Sequence, residues 1–261
     1  MGKRKHKEIS SFLGFLSISL CGVGIFVLIP FSDVVGRSFM TVMSGKWVGF
    51  KNYKTVINNE AFRLAVANTV KFVGVAIPLL IVIGLSAALV LSKLQNVQVI
   101  KSLYLFPMAM PTATVVIVWR MFFYKQDFTS LVVSYLWKNT GYIIVLWLAG
   151  LWSIPGELTE AARVDGANGL QCFLFVKLPC LKGSLGTIVI ISFLNAMKIY
   201  REAYLVAGAY PGQDIYLLQH VFNNWYVNLE FDKMAAATVL VAGVLFFIIL
   251  PFLSWQKTEK V

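Results

Sequence analysis

The chain has 261 residues, of which 58% are hydrophobic and 13% are charged, with a mean hydropathy of +0.75. This composition excludes a water-soluble protein and predicts an all-α integral membrane protein. The net charge of +11 would suit a nucleic-acid-binding protein, but the basic residues lie scattered between apolar runs, so we expect them to set topology and contact lipid headgroups.

The first apolar run, at 12–31, follows a basic segment that contains Lys3, Arg4, Lys5 and Lys7. The run is about twenty residues long, whereas a signal peptide has a shorter apolar core and a small-residue cleavage site. We therefore predict a retained first helix with the N-terminus in the cytoplasm. Basic residues occur on both sides of the resulting arrangement, and the N-terminal cluster decides the orientation. The six predicted spans are 12–31, 64–91, 103–123, 130–152, 185–207 and 234–255.

The one long external segment, at 32–63, contains Trp47-Val-Gly-Phe-Lys-Asn-Tyr53, and Asn68-Thr69 opens the next span. This pattern is similar to a stretch found in the permeases of sugar importers. An equally good physical role for the aromatic residues is an interfacial belt at the membrane surface.

The third span begins with Phe106-Pro-Met-Ala-Met-Pro-Thr, which places two prolines four residues apart. Proline frees backbone groups and kinks a helix, and in lipid those groups need a neighbour or a water-lined cavity. We expect this helix to line a path or a flexing seam. The segment also resembles the sugar permeases, although the loop that follows, Tyr124 to Phe128, is shorter than is usual there.

The fourth span carries Lys138-Asn139-Thr140-Gly141-Tyr142 near its middle. Polar groups at this depth are costly unless they face protein or water, and a polar midplane helix is typical of transporter binding regions. We predict that Asn139, Thr140 and Tyr142 contact substrate. The alternative is that they pack helices together.

A polar loop at 153–182 separates the fourth and fifth spans. Pro155 suits the start of a short helix and Gly166 suits its end. Glu160-Ala161-Ala162, Gly166 and, nine residues later, Val176-Lys177-Leu178-Pro179 resemble the EAA signature of the permease subunits of ATP-binding-cassette (ABC) importers. The alternative is a generic amphipathic helix at the membrane surface. The resemblance implies a cytoplasmic coupling loop whose contacts with an ATP-binding subunit come from Glu160, Ala161, Ala162, Arg163, Asp165 and Gly166.

The fifth span is apolar at first and then polar. Its candidate substrate contacts are Ser192, Asn195, Tyr200 and Glu202, because hydroxyl, amide and aromatic groups suit the hydroxyls and C–H faces of a sugar. Lys198 and Glu202 are four residues apart, a spacing at which they could pair. Lys198 and Arg201 would either snorkel to the outer interface or bind substrate.

Before the last span, Tyr210-Pro-Gly-Gln-Asp214 predicts an external turn, and Gln219 to Tyr226 would cap the outer mouth of a cavity. His220 is expected to be a solvent-facing loop residue, and two histidines rule out a histidine metal cluster. Phosphate-loop, zinc-protease and nucleophile-elbow motifs do not occur, so we predict no enzyme activity, no catalytic residue and no cofactor or metal in this chain.

The sequence thus predicts six transmembrane helices with the type I ABC importer (MetI-like) fold, in the bacterial cytoplasmic membrane with both termini inside. The resemblance implies import of a sugar or oligosaccharide by alternating access. The implied partners are a second, non-identical permease, two ATP-binding subunits that bind ATP and magnesium, and an extracellular solute-binding protein.

Two alternatives remain open. An importer of another polar solute, such as glycerol phosphate, would use Lys198 and Arg201 more than Tyr142 and Asn195. A secondary transporter or channel would work without an ATPase.

Overall fold

In a computed structural model of the chain, the described residues are 14, 16–17, 19–42, 44–94 and 97–258, without the side chains of 97–102 and 252–258. The basic N-terminal cluster and positions 12, 13, 15 and 18 of the predicted first span lie outside the described residues. Within them the chain is helical, apart from an isolated bridge between Met40 and Trp47.

The helices are α1 (Ser19–Ser38), α2 (Lys51–Ile57), α3 (Glu60–Leu91), α4 (Val97–Ala109), α5 (Thr112–Phe122), α6 (Phe128–Trp152), α7 (Gly156–Val164), α8 (Gly169–Cys180), α9 (Lys182–Ala196), α10 (Tyr200–Ala207), α11 (Leu218–Val227) and α12 (Phe231–Thr258). A 3-10 turn at Gln213–Ile215 precedes α11.

Among the described residues, five helical segments are long and apolar enough to cross a membrane, and a bent pair, Leu103–Ala109 with Thr112–Phe122, would make a sixth. The five are α1, α3, α6, Lys182–Ala207 and Phe231–Pro251. The chain is therefore an all-helical polytopic membrane protein.

The first helix ends at Ser38, beyond the predicted boundary at Phe31. Pro30 lies inside this helix, just after a π-helical stretch at Gly24–Leu28, and the helical backbone continues through it to Ser38. Arg37 donates to Asp33 one turn earlier at 2.6 Å, which supports the polar extension.

The predicted third span is two helices that meet at 105°. The break lies at Met110 and Pro111, because the residue before a proline is driven out of the helical conformation and proline itself donates no hydrogen bond. Pro107 stays inside α4. The fifth span, Lys182–Ala207, is not divided in this way, but between α9 and α10 it tightens into turns at Met197, Lys198 and Ile199, where the N–H groups of Lys198 and Ile199 bond to carbonyls three residues back.

The fourth span, by contrast, is continuous through its polar stretch. Asp127 caps it: the carboxylate accepts from the backbone N–H of Ser130 at 2.9 Å, and the Ser130 hydroxyl accepts from the N–H of Asp127 at 3.0 Å. Gly141 in its middle does not break α6. A Cβ there would overlap the backbone carbonyl of Tyr104, so the glycine allows α4 to pack closely on α6.

The chain divides into two compact units. The larger, Glu60–Asn224 with the residues from Phe246, has its core where α3, α6 and α9 meet. The largest fully buried side chains of this core include Phe72, Leu80, Tyr135, Trp147 and Ile188.

The smaller unit comprises the residues up to Asn59 together with Trp225–Leu245. Its best-defined feature is the segment after α1, where the Asn52 amide donates to the carbonyls of Ser38 (3.0 Å) and Met40 (2.9 Å). The Tyr53 hydroxyl lies 2.6 Å from that of Ser38, and the Phe39 ring stacks on Trp47. The Trp47–Tyr53 pattern thus folds the segment onto the end of α1.

Candidate functional site

A polar cluster joins the fourth span to the third and fifth spans. The Lys138 ammonium pairs with the Glu202 carboxylate and donates to the Thr112 hydroxyl at 3.1 Å. The side chains of Lys138 and Glu202 are 21% and 7% exposed, so each charge is largely withdrawn from solvent and needs the other. The three residues come from α6, α10 and the first turn of α5.

The pairing of Lys198 with Glu202 that their spacing allowed is not formed, because the Glu202 carboxylate already has Lys138 as its partner. Glu202 instead turns toward α6 and pairs with Lys138.

The other end of α5 is also fastened to α10. The Arg120 guanidinium donates to the carbonyls of Leu205 and Val206, the latter at 3.0 Å. These carbonyls belong to the last turn of α10, where a cation is favoured by unpaired carbonyl groups and by the helix dipole. The half-helices α5 and α10 are thus tied to each other near both of their ends.

A cleft of about 500 Å³ opens beside this cluster. Its lining residues, here called the cleft residues, are Met108, Thr112, Tyr135, Lys138, Asn139, Asn195, Met197, Lys198, Ile199, Tyr200, Arg201, Glu202 and Gln219. Amides, hydroxyls, aromatic rings and charges all face one volume at the break in the third span and the turns in the fifth span.

Four of the seven predicted substrate contacts are cleft residues: Asn139, Asn195, Tyr200 and Glu202. The other three point elsewhere. Thr140 donates to the carbonyl of Leu136 at 2.5 Å within its own helix, and Tyr142 packs on the hydrophobic core. Ser192 is fully buried, and its carbonyl accepts from the Tyr135 hydroxyl at 2.7 Å.

Sequence reasoning missed Thr112, Tyr135 and Gln219 as cleft residues. Thr112 follows the second proline of the third span, so the proline break was a usable signal. Tyr135 lies one turn before Asn139, whose amide donates to its carbonyl at 2.9 Å. Gln219 reaches the cleft because its side chain donates to the carbonyl of Met197, a contact that no sequence spacing indicates.

Asn68 and Thr69 position the segment that carries Gln219. The Asn68 amide donates to the carbonyl of Tyr216 at 3.0 Å, and the Thr69 hydroxyl accepts from the N–H of Leu218 at 3.1 Å. In this structure the Asn-Thr pair of the sequence pattern therefore fastens the segment before α11 to the start of α3.

The expectation that His220 faces solvent is wrong, because its side chain is fully buried. It packs edge-on against Tyr200, with 4.9 Å between ring centroids, and its Nδ1 accepts from the N–H of Leu217 at 3.0 Å. Burial lowers the pKa of His220 to about 4. The ring is thus neutral at pH 7.

The loop between the fourth and fifth spans carries α7, preceded by Pro155. Gly166 follows the helix with φ of +89°, its N–H bonds to the carbonyl of Arg163, and the N–H of Ala167 bonds to that of Ala162 at 2.9 Å. This is the Schellman arrangement that ends helices at glycine. The predicted helix with a glycine stop is present.

None of the nine residues of α7, all within the described part of the chain, is buried. Val164 is 87% exposed and Leu158 is 46% exposed, next to the acidic residues Glu157 and Glu160. A helix this short is not stable alone in water. Its exposed apolar and charged side chains suit a partner surface.

The comparisons with known proteins decide the family. Residues 80–257 match the model of the family described as "Binding-protein-dependent transport system inner membrane component". The chain belongs to this family. It is a non-catalytic, multi-pass inner-membrane permease of the ABC importers, and the resemblance stated from its sequence is confirmed.

Curated relatives of this permease cover most of its length. It is 28% identical to the trehalose/maltose transport system permease protein of Thermococcus litoralis, over 91% of this chain and 90% of that protein. It is 31% identical to the arabinooligosaccharides transport system permease protein of Bacillus subtilis, over 70% and 67%.

Solved structures show the same fold. A chain of a bacterial ABC transporter that imports the acidic polysaccharide alginate aligns with a TM-score of 0.79 at 18% identity, covering 98% of both chains. A chain of an amino acid ABC transporter aligns with a TM-score of 0.56 at 16% identity, covering 80% of this permease and 97% of that chain. No cofactor is expected of a permease subunit, and no group of three or more metal-binding side chains occurs among the described residues.

Proposed function

We propose that this permease imports a sugar or oligosaccharide, and that the solute binds in the cleft. The observation that carries the proposal is the chemistry of the cleft residues. The amides of Asn139 and Asn195 offer donors and acceptors to sugar hydroxyls, and the partly exposed ring of Tyr200 offers a face on which sugar C–H groups stack. The names of the relatives support a saccharide, since both transport sugars or oligosaccharides.

The position of the cleft supports alternating access. It lies at the break between α4 and α5 and beside the turns between α9 and α10, and broken helices in transporters line a solute path. Arg120 ties α5 to α10, and the cluster of Thr112, Lys138 and Glu202 fastens both helices to α6 beside the cleft. Tyr142, Thr140 and Ser192 support this arrangement from behind the cleft.

The coupling loop at 153–182 is proposed to face the cytoplasm and to seat α7 on a separate ATP-binding subunit. Glu160, Ala161, Ala162 and Arg163 lie on this exposed helix, and Asp165 and Gly166 form its end. A second, related permease, two ATP-binding subunits and an external solute-binding protein complete the proposed complex, with both termini of this chain in the cytoplasm. ATP binding would draw the two permeases' loops together and turn the pathway outward.

Reconstituted uptake tests this proposal. Proteoliposomes that contain the permease pair, the ATP-binding subunits and the solute-binding protein should accumulate labelled saccharide only when ATP is supplied. Transport by this chain without an ATPase, driven by an ion gradient, would instead establish a secondary transporter.

The coupling role is tested by combining Glu160→Lys with Gly166→Pro. The first change reverses a charge on an exposed helix, and the second removes the N–H that closes it. The variant should insert and assemble normally yet lose ATP-driven uptake. Lys93→Gln, at an exposed position outside this loop, is the control and should leave ATP-driven uptake unchanged. Normal uptake by the double variant would refute the coupling role of α7.

A further inference from the structure

The charges of the cleft are unequal. Three cleft residues are cationic, Lys138, Lys198 and Arg201, and among the described residues that line the cleft only Glu202 is anionic. Glu202 is already paired with Lys138 and hydrogen-bonded to Thr112. Its charge is therefore satisfied inside the protein.

Lys198 and Arg201 are the remaining charges. Neither side chain has an ion-pair partner within the described ranges, and both are exposed at the cleft. Lys198 lies in the turns between α9 and α10, and Arg201 lies in the first turn of α10.

A solute that enters the cleft displaces the water that hydrates these two cations. A neutral saccharide would leave both charges with less solvent and no counter-charge, which is unfavourable at membrane depth. A saccharide with a carboxylate or another anionic group would replace that hydration with charge-assisted hydrogen bonds, and the arginine fork suits a planar carboxylate.

We infer that the permease is specific for an acidic saccharide, a sugar or oligosaccharide that carries negative charge at neutral pH. In this arrangement Lys198 and Arg201 bind the anionic group, while Asn139, Asn195 and Tyr200 bind the sugar ring. The inference rests on the proposed function, since it names the solute of the same cleft. It also gives Lys198 and Arg201 a role in specificity rather than in anchoring the span at the interface.

The test compares matched saccharides in the reconstituted complex with its own solute-binding protein. A uronic-acid disaccharide and its neutral counterpart, both labelled, are offered separately and together. The acidic sugar should be taken up with ATP, and the neutral one should compete poorly. ATP-driven uptake of the neutral sugar in preference to the acidic one would overturn the inference and leave the proposed function intact, whereas no ATP-driven uptake of any saccharide would overturn both.

Charge-removing variants locate the effect. Lys198→Gln and Arg201→Gln should each raise the KM for the acidic sugar about tenfold or more, as expected for the loss of one charge-assisted hydrogen bond. Arg201→Lys should keep part of the affinity because the charge remains. Lys93→Gln, at an exposed position outside the cleft, is the control and should leave the KM unchanged.

Gel filtration measures the proportion of assembled complex. This measurement distinguishes a variant that binds the acidic sugar less tightly from a variant that does not fold or assemble. If both glutamine variants assemble and transport the acidic sugar with the KM of the unmodified protein, Lys198 and Arg201 do not bind the anion and the inference is wrong. If a variant does not assemble, the partial-rescue variant Arg201→Lys and the preference of the unmodified complex for acidic over neutral sugar still decide it.

Discussion

The cleft and the coupling loop are built in opposite ways. The polar cluster of the cleft joins Thr112, Lys138 and Glu202, which are far apart in sequence and come together only when three helices pack. The coupling loop uses neighbours in sequence: Pro155 precedes α7, and Gly166 ends it through bonds to carbonyls a few residues back. The polar cluster therefore depends on tertiary packing. The conformation of α7 is determined by residues close to it in sequence, and its surface is exposed.

The two regions also differ in burial. The Glu202 side chain is 7% exposed and has two polar partners, whereas every residue of α7 is at least partly accessible. Substitutions in the cleft should therefore change the stability of the permease itself. Substitutions in α7 should leave stability nearly unchanged and alter the response to ATP.

The largest effect on stability is expected from Lys138→Met, which leaves the Glu202 carboxylate buried without its counter-charge. Breaking one partner of a buried pair costs about 3–5 kcal/mol, whereas replacing both with apolar residues is often close to neutral. The double variant Lys138→Met with Glu202→Met should thus melt at a higher temperature than Lys138→Met alone. Thermal melting of the purified complex in detergent measures this, and additive losses in the double variant would show that the two side chains act independently.

A similar but smaller loss is expected for Gly141→Ala. The added Cβ would overlap the carbonyl of Tyr104, so α4 and α6 must separate, at a cost of about 3 kcal/mol. Gly74→Ala in α3 is the control, since nothing within this chain lies within 4 Å of its Cβ position. The melting temperature and the yield of monodisperse complex give the result. Equal values for the two variants would mean that α4 does not need this close approach.

The contrast between the regions explains what the sequence could predict. The coupling helix was predictable because proline at its start and glycine at its end act within a few residues of themselves. The existence of apolar spans was predictable because composition along about twenty residues determines it. The break in the third span and the turns in the fifth span were harder to predict. Pro111 indicated the break in the third span, whereas no proline marks the turns at Met197–Ile199.

The cleft was only half predictable, because helical spacing indicates a face and not its neighbour. Ser192 and Asn195 were both predicted to contact substrate, yet Ser192 is buried against α6 while Asn195 lines the cleft. Gly141 was predicted to be part of a binding site, but in the structure it allows the backbone of α4 to pack closely on α6. His220 was predicted to be a solvent-facing loop residue. The prediction failed because the burial of its ring depends on packing against Tyr200 and Tyr216, which lie in other segments.

A moderate, pH-dependent loss of stability is expected to depend on His220, whose ring packs edge-on against Tyr200. The folded pKa of about 4 lies below the ordinary value of 6.5. The unfolded chain therefore takes up a proton first as the pH falls from 6.5 toward 4, and the free energy of unfolding decreases by about 1–2 kcal/mol between pH 7 and pH 5. His220→Gln cannot titrate and should lose less stability over that range. Melting of both proteins at pH 7 and pH 5 gives the comparison, and parallel losses would place the His220 ring in contact with solvent.

The smallest effect on stability is expected for Gly166→Ala in the coupling loop. A residue with a Cβ is disfavoured by about 1–2 kcal/mol in the left-handed conformation that φ of +89° requires, but this strain is confined to an exposed turn. The melting temperature should thus stay close to that of the unmodified complex. ATP hydrolysis stimulated by the loaded solute-binding protein should fall, because the end of α7 no longer holds its geometry. Gly169→Ala, three residues later in open space and with an ordinary φ, should leave both quantities unchanged. A large drop in melting temperature for Gly166→Ala with normal ATPase stimulation would contradict this prediction. The loop would then stabilise the fold and would not couple it to a partner.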